Sequence, residues 1–405
     1  MENNIFVLTT EELKKIAGSF KERIEEGLIK DNQEILCIPT HITPKSEIPN
    51  GKVLALDWGG TNFRAAVVEF KDGKSKILER AECKLSAKEK DTQGTQADLY
   101  GAMANTIGTL QLLDESVTSI GYCFSYPAAA RLNGDAILLR WTKGIDVKDM
   151  LGEEKQPNNP KNITGETFVQ YLNNHKNIKP TFTNIKVIND TVACLFGGLS
   201  ASDFDSYIGL IVGTGTNMAS LMRLNQIKKL NSEVDWIVPI NLESGNFNPP
   251  YLTVIDGLVD AVSNNKGSQR FEKAISGGYL GEIFKTVFMN EKIEYDFNGE
   301  HLSAILENPN KYSAEWANAA QAITARSAKL VASSIDGLVQ VLVKQDAGIK
   351  NIALAADGSL FWKTPGYKDL VEKELKILLP ENVTITILPE MEDPNLTGAA
   401  IAALS

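Results

Sequence analysis

Two short stretches bring together residue types that do chemistry as a set. In the first, residues 51–70, Asp57, Gly59, Gly60, Thr61, Asn62 and Arg64 sit between two apolar runs, 53–56 and 65–68. Adjacent glycines take backbone angles closed to other residues and let main-chain N–H groups approach a ligand. Thr61 and Asn62 add side-chain donors, and Arg64 can fork onto phosphate oxygens. Asp57, at the end of the first run, can hold a Mg2+ through water. The set reads as a phosphate cradle on a β-hairpin; taken alone it reads equally as an ordinary turn with a stray arginine. The second stretch, 207–224, repeats the design, with Gly213, Thr214, Gly215, Thr216 and Asn217 between two apolar strands. A third feature is Asn189-Asp190-Thr191, directly after the apolar run 185–188. An aspartate there is costly to bury unless it has a partner or a task.

The elements that must position these groups follow from periodicity. Thr9 and Glu12 form a capping box, and Leu13, Ile16, Ala17, Phe20, Ile24 and Leu28 recur at helical spacing after it. Strands are expected at 76–83, 119–124, 137–139, 185–188, 236–240, 352–355 and 383–388. Helices are expected at 97–113, 164–173 and 396–404. Ser313 should cap a long helix reaching about residue 343, with Ile323, Leu330, Ile335 and Leu338 facing inward. Polar or glycine-rich clusters recur at the C-terminal ends of strands, where ligands of open α/β sheets bind. The expectation is an α/β protein of two lobes with a cleft between them.

Composition narrows the class. The chain has 405 residues, 43% hydrophobic and 23% charged, with a net charge of −10. The pI of about 5.1 argues against nucleic acid as the main partner. Cys37, Cys83, Cys123 and Cys194 are widely spaced, with no CxxC pair, which suits small core residues in a reducing compartment. The N-terminal stretch lacks the pattern of a signal peptide, and no apolar run is long enough to span a bilayer; a cytoplasmic location is expected. HExxH, GxSxG, the P-loop, HRD and DFG are all missing, which argues against a zincin, an α/β-hydrolase, a P-loop protein and a protein kinase of the usual type.

Eight motifs, LALDWGGTNFR, FSYP, WTKG, VINDTVA, GLIVGTGTN, NLES, GSQRFEKAISGGYLGEI and ADGSLF, stand in this order, and the chain from about residue 25 onward resembles the hexokinase family. The resemblance implies the actin-like ATPase (ribonuclease H-like) fold, with a sugar and nucleotide cleft between lobes. It puts residues 51–188 and about 392–405 in a small lobe, and 1–50 and 189–391 in a large one. The implied activity is ATP-dependent phosphorylation of glucose or a close relative at the 6-hydroxyl, with Mg2+. Ser125, Thr142, Lys143, Asn189, Asp190, Asn217, Glu243 and Glu272 would bind the sugar, Asp190 would take the proton of its 6-hydroxyl, and Lys143 and Arg64 would join in catalysis. Asp57, Gly60, Thr61, Asn62, Arg64, Thr214, Gly215, Thr216, Asp357, Gly358, Ser359 and Gly398 would bind the nucleotide, Asp57 also holding the metal through water. The small-molecule partners would be the hexose and ATP, with no nucleic acid and no membrane, for a monomer or homodimer. Two departures stand out. The family's aromatic-glycine pair after Glu243 is here Ser244-Gly245, and its Gly-Ser-Gly before the last helix is 393–397, Asp-Pro-Asn-Leu-Thr, which leaves the adenine contacts open. Rival readings are a non-catalytic hexose sensor on the same fold and a sugar-independent ATPase.

Overall fold

The computed structural model describes every residue except 1–2, 46, 86–93, 142–144, 153–161 and 163. Its chain divides into two compact units. One holds Ile38–Ser202, Trp236–Ile240 and Met391–Ser405; the other holds Met1–Cys37, Asp203–Asp235 and Asn241–Glu390.

In the first of these units the continuous apolar runs make a mixed five-stranded sheet. Its order is Lys74–Lys84, Asn62–Lys71, Gly51–Trp58, Ser119–Phe124, Asn184–Ile188. The first three strands are antiparallel neighbours and the last two pairings are parallel. Strands without polar alternation have both faces to cover, and both are covered. Leu54, Leu56 and Trp58 point into a core shared with Leu99, Met103, Ile107 and Phe168 from helices Gln96–Ile107 and Thr164–Asn173. The opposite face receives the last helix, Pro394–Leu404, which also lies along helix Asp190–Gly198. Its approach is close enough to require a glycine at each contact, Gly121 on the strand and Gly398 on the helix itself. A Cβ on Gly121 would stand 1.7 Å from the Ala399 carbonyl oxygen, and one on Gly398 1.8 Å from that of Ala193.

In the other unit Thr216–Arg223 pairs antiparallel with Ser206–Val212, which pairs parallel with Asn351–Asp357, followed by Thr384–Ile387. Helices Thr10–Ile29 and Ala314–Gln345 pack closely beside each other. Ile323, Leu330, Ile335 and Leu338 are all buried there, as their spacing predicts. Arg326, also on that long helix, is buried and forks onto Asp256 at 2.7 and 2.8 Å. Burial pushes the Asp256 carboxyl up, but the guanidinium and the Thr253 hydrogen bonds prevail and hold it below its ordinary value.

Most expected elements are present, with the capping box at Thr9 and Glu12 formed. The helix expected over 97–113 ends at Ile107, where Gly108 and Thr109, both weak helix formers, follow. Helix Asp190–Gly198 was not anticipated. All of its residues after Asp190 are buried, so its sequence carries no polar face from which a period could be read. Helices Gly299–Glu307 and Tyr367–Leu378 also went unassigned. Among the described residues no helix is long and apolar enough to cross a membrane.

Candidate active site

The first hairpin forms as its sequence suggests, with Asp57 opposite Arg64 and Trp58 opposite Phe63. The chain reverses through Gly60, whose φ of +96° favours glycine. Its carbonyl oxygen accepts from the Trp58 indole at 2.8 Å and from the Tyr126 hydroxyl at 3.0 Å. Trp58 and Tyr126 meet edge to face in a cluster with Phe124 and Trp141. The tip is therefore held from below, while Gly59, Thr61 and Asn62 are exposed above it.

Asp57 lies at the base of the hairpin, 5% exposed. Its carboxylate meets Arg64 at 3.3 Å and accepts from Asn395 Nδ2 at 3.4 Å. Burial pushes Asp57 up to about 6, opposed chiefly by Arg64, while Asp190 adds to the rise. Two carboxylates thus share one neighbourhood with one guanidinium. The Cys123 thiol, driven well above its ordinary value by burial, lies against both Asp57 and the Ser125 side chain. Ser125 itself is buried, and its N–H donates to the Trp58 carbonyl. Asn189 caps helix Asp190–Gly198, its side-chain oxygen accepting from the Thr191 N–H at 2.9 Å. Asp190 occupies the first helical position and accepts from the same N–H at 2.8 Å. A carboxylate there is favoured by the helix dipole. Thr142 and Lys143 lie outside the described residues.

The other unit assembles a second polar set. Asn217, on strand Thr216–Arg223, accepts through Oδ1 from the N–H groups of Met218 at 2.8 Å and Ser244 at 3.0 Å. Its Nδ2 donates to Asn241 Oδ1 at 2.7 Å, and Asn241 Nδ2 donates to Glu243 Oε1, also at 2.7 Å. Glu243 itself has a left-handed backbone, φ +56°, a conformation uncommon outside glycine, asparagine and aspartate. Glu272, in the short helix Arg270–Ile275, accepts from the Thr216 N–H at 3.1 Å. Its carboxylate sits where a side chain on Gly215 would project, 2.7 Å from the position of such a Cβ. The Thr216 hydroxyl turns inward onto the Ile211 carbonyl.

Glycines crowd the C-terminal ends of the neighbouring strands. A Cβ on Gly358, which has φ +117°, would stand 2.2 Å from the Val212 carbonyl oxygen, and Gly213 faces Gly358 across that contact. The N–H groups of Gly277 and Gly278 donate to the carbonyls of Gly213 and Thr214. Asp357 accepts from the Gly358 N–H at 2.8 Å, and Thr214 and Ser359 are exposed. Gly398 lies at the contact between helices Pro394–Leu404 and Asp190–Gly198, and that packing alone requires a glycine there. Reading the sequence passed over Asn241, Ser244 and Asn395. The first two stand in the motif NLES, and Asn395 in the segment whose Gly-Ser-Gly pattern is altered.

Comparison with known proteins gives the family of the chain. Two family models, both described as hexokinase, match residues 2–199 and residues 207–319 with 307–405. Hexokinase-1 of Saccharomyces cerevisiae is 27% identical over 99% of this chain and 90% of its own length. Hexokinase-2 of Schizosaccharomyces pombe is 29% identical over 99% and 95%. The solved structure of Schistosoma mansoni hexokinase complexed with glucose superimposes with a TM-score of 0.78 at 22% identity, covering 99% of this chain and 97% of that one. The chain belongs to the hexokinase family and has its two-lobed α/β fold. It is a phosphotransferase that phosphorylates a hexose at the expense of ATP.

Proposed function

We propose that the preferred reaction transfers the γ-phosphoryl group of ATP to the 6-hydroxyl of glucose or a close relative. The observation that carries this is the grouping of Asp57, Arg64 and Asp190 in one unit, beneath a hairpin whose exposed tip offers backbone and side-chain donors. Asp190 accepts the proton of the sugar hydroxyl as its oxygen attacks the γ-phosphorus in line. Arg64 and the hairpin N–H groups stabilise charge on the equatorial oxygens. Most of the rate comes from positioning and electrostatics rather than from covalent chemistry. Ser125, Asn189, Asn217, Glu243 and Glu272 hold the sugar hydroxyls, together with Thr142 and Lys143 by resemblance. Exchange of a hydroxyl for hydrogen then leaves polar groups unpaired, the strongest basis for rejecting an analogue. Gly60, Thr61, Asn62, Thr214, Gly215, Thr216, Asp357, Gly358, Ser359 and Gly398 are assigned to the nucleotide by resemblance.

Mg2+ fits the residues at hand. It binds oxygen, keeps several waters and often takes only one or two carboxylates beside the substrate phosphates. Asp57 is a buried carboxylate, and the neighbouring Asn395 Oδ1 is buried with no hydrogen-bond partner. Bound there, the ion neutralises charge on the phosphate oxygens. Cys37, Cys123 and Cys194 are buried and Cys83 is half-buried, which suits small core residues of a reducing, cytoplasmic compartment. A coupled ADP-release assay over a panel of hexoses and phosphoryl donors tests the proposal. ADP release with glucose and MgATP, and little without sugar, is expected; glucose binding without turnover would favour the sensor, and sugar-independent turnover the ATPase.

A further inference from the structure

Asn241 is 5% exposed and has a role that no substrate contact requires. Its amide stands between two groups assigned to the sugar, accepting a hydrogen bond from Asn217 Nδ2 and donating one to Glu243 Oε1, each at 2.7 Å. Its Oδ1 also accepts from the Glu243 N–H at 3.4 Å. The orientation of each amide follows from this network. The Asn217 Oδ1 is taken by the Met218 and Ser244 N–H groups, with the Ser244 hydroxyl at 3.4 Å. Asn217 therefore turns its nitrogen toward Asn241, and Asn241 must present oxygen to Asn217 and nitrogen to Glu243.

The consequence is a fixed polarity. An amide nitrogen carries two protons; Asn241 takes one of those on Asn217, so the other has a set direction. The carboxylate of Glu243, on a left-handed residue, is oriented by the donor that Asn241 supplies. We infer that Asn241 is a positioning residue that keeps Asn217 a donor and Glu243 an oriented acceptor toward the hexose. This rests on the proposed assignment of Asn217 and Glu243 to the sugar. The backbone beneath is independently anchored. The Leu242 carbonyl accepts from the N–H groups of Leu36 and Cys37, and the Leu242 N–H donates to Met218. Loss of the Asn241 amide thus removes an orienting contact while the strand stays attached.

Two substitutions test this. Asn241→Leu removes all three of these contacts at similar volume. It is expected to weaken glucose binding roughly ten- to a hundred-fold, the scale of a lost hydrogen bond to a charged group, equally at pH 5 and pH 8, with ATP affinity unchanged. Asn241→Asp keeps an acceptor for Asn217 but faces Glu243 with a second carboxylate. Two carboxylates in contact share a proton, and one of them titrates at a raised value. At low pH that proton restores the donor to Glu243; at high pH the pair repels. Among the described residues, the charged groups near this segment include Glu272, Glu34, whose carboxylate accepts from the Asn248 N–H, and Lys229, which donates to the Leu36 carbonyl. All of them are present in every variant, so the wild-type protein and Asn241→Leu correct for their titration.

Glucose affinity of Asn241→Asp, measured by calorimetry, should therefore approach wild type near pH 5 and fall to the Asn241→Leu level near pH 8. A residue with a merely structural role gives no such rescue by protons. The inference is overturned if Asn241→Leu binds glucose within twofold of wild type, or if Asn241→Asp follows the wild-type pH profile. Should Asn241→Leu not fold, the Asn241→Asp profile alone decides. Asn217→Ala and Glu243→Gln, measured in parallel, separate the two levels of argument. If neither weakens glucose binding, the assignment of the sugar site fails; if both do and the Asn241 variants do not, only the role of Asn241 fails.

Discussion

The buried carboxylate of Asp57 should make the protein less stable than its own neutral variant. Asp57 is raised from an ordinary 3.8 to about 6, first by burial, against the opposing pull of Arg64. At ~1.4 kcal/mol per pH unit, this gap amounts to about 3 kcal/mol. The folded protein holds the proton more tightly than the unfolded chain between about pH 4 and pH 6. Stability therefore falls as pH rises across that window, and the full penalty is present above it. Asp57→Asn keeps the shape and removes the charge. The rise to about 6 is already net of the attraction of Arg64, so the loss of that partner is contained in this figure. Without nucleotide, the variant should match wild type near pH 4 and exceed it by up to about 3 kcal/mol at pH 7. Its turnover should fall by about 10²-fold or more, as expected on removing an electrostatic group from a phosphoryl-transfer site. Urea unfolding from pH 4 to pH 8, followed by the fluorescence of Trp58 and its aromatic neighbours, measures the first effect. A stability difference that does not change with pH, or a variant less stable at pH 7, would refute the reasoning that burial dominates at Asp57.

Three further outcomes are expected. Asp190→Asn should lower kcat by about 10²–10⁴-fold, the size of a general-base contribution, while calorimetry finds glucose affinity within a few-fold; near-normal kcat would remove Asp190 from that role. Glu243→Ala and Glu272→Ala should each weaken glucose binding by about 1–3 kcal/mol through unpaired hydroxyl partners, with ATP binding changed much less in the same titrations. Gly398→Ala places a methyl 1.8 Å from the Ala193 carbonyl oxygen, so it should destabilise the protein by about 1–3 kcal/mol through overpacking. A thermal midpoint equal to that of wild type would show that the two helices part without penalty.

What the sequence made legible was local. Each hairpin is one contiguous stretch, so the facing of Asp57 and Arg64 follows from counting across a short turn. The long helix from Ala314 is readable because its cap and its inward residues share one period. The unread parts depend on distance along the chain. Asn395 meets Asp57 from 338 residues away, and Asn241 bridges Asn217 and Glu243 across a gap of 24. Neither spacing has a local signature. Glu272 looks like a surface charge within a helical pattern, and only the fold brings it onto the backbone of Gly215 and Thr216. Helix Asp190–Gly198 was hidden for a different reason. A short segment buried almost all round reads equally as a strand or a helix.

The packing of helix Pro394–Leu404 onto strand Ser119–Phe124 and helix Asp190–Gly198 also sets an order of events during synthesis. The unit that carries Asp57, Arg64 and Asp190 includes Met391–Ser405, yet its main body is complete by Ser202. On a ribosome adding about 5–20 residues per second, that body waits on the order of 10–40 seconds for its last helix. Meanwhile the surface at Gly121 and the face of helix Asp190–Gly198 around Ala193 are open to water or to other chains. Asp57 lacks its Asn395 neighbour for as long. A nascent chain therefore holds every residue of the Gly51–Lys71 hairpin before it can form that hairpin's finished surroundings, and helix Pro394–Leu404 decides when that unit closes its core.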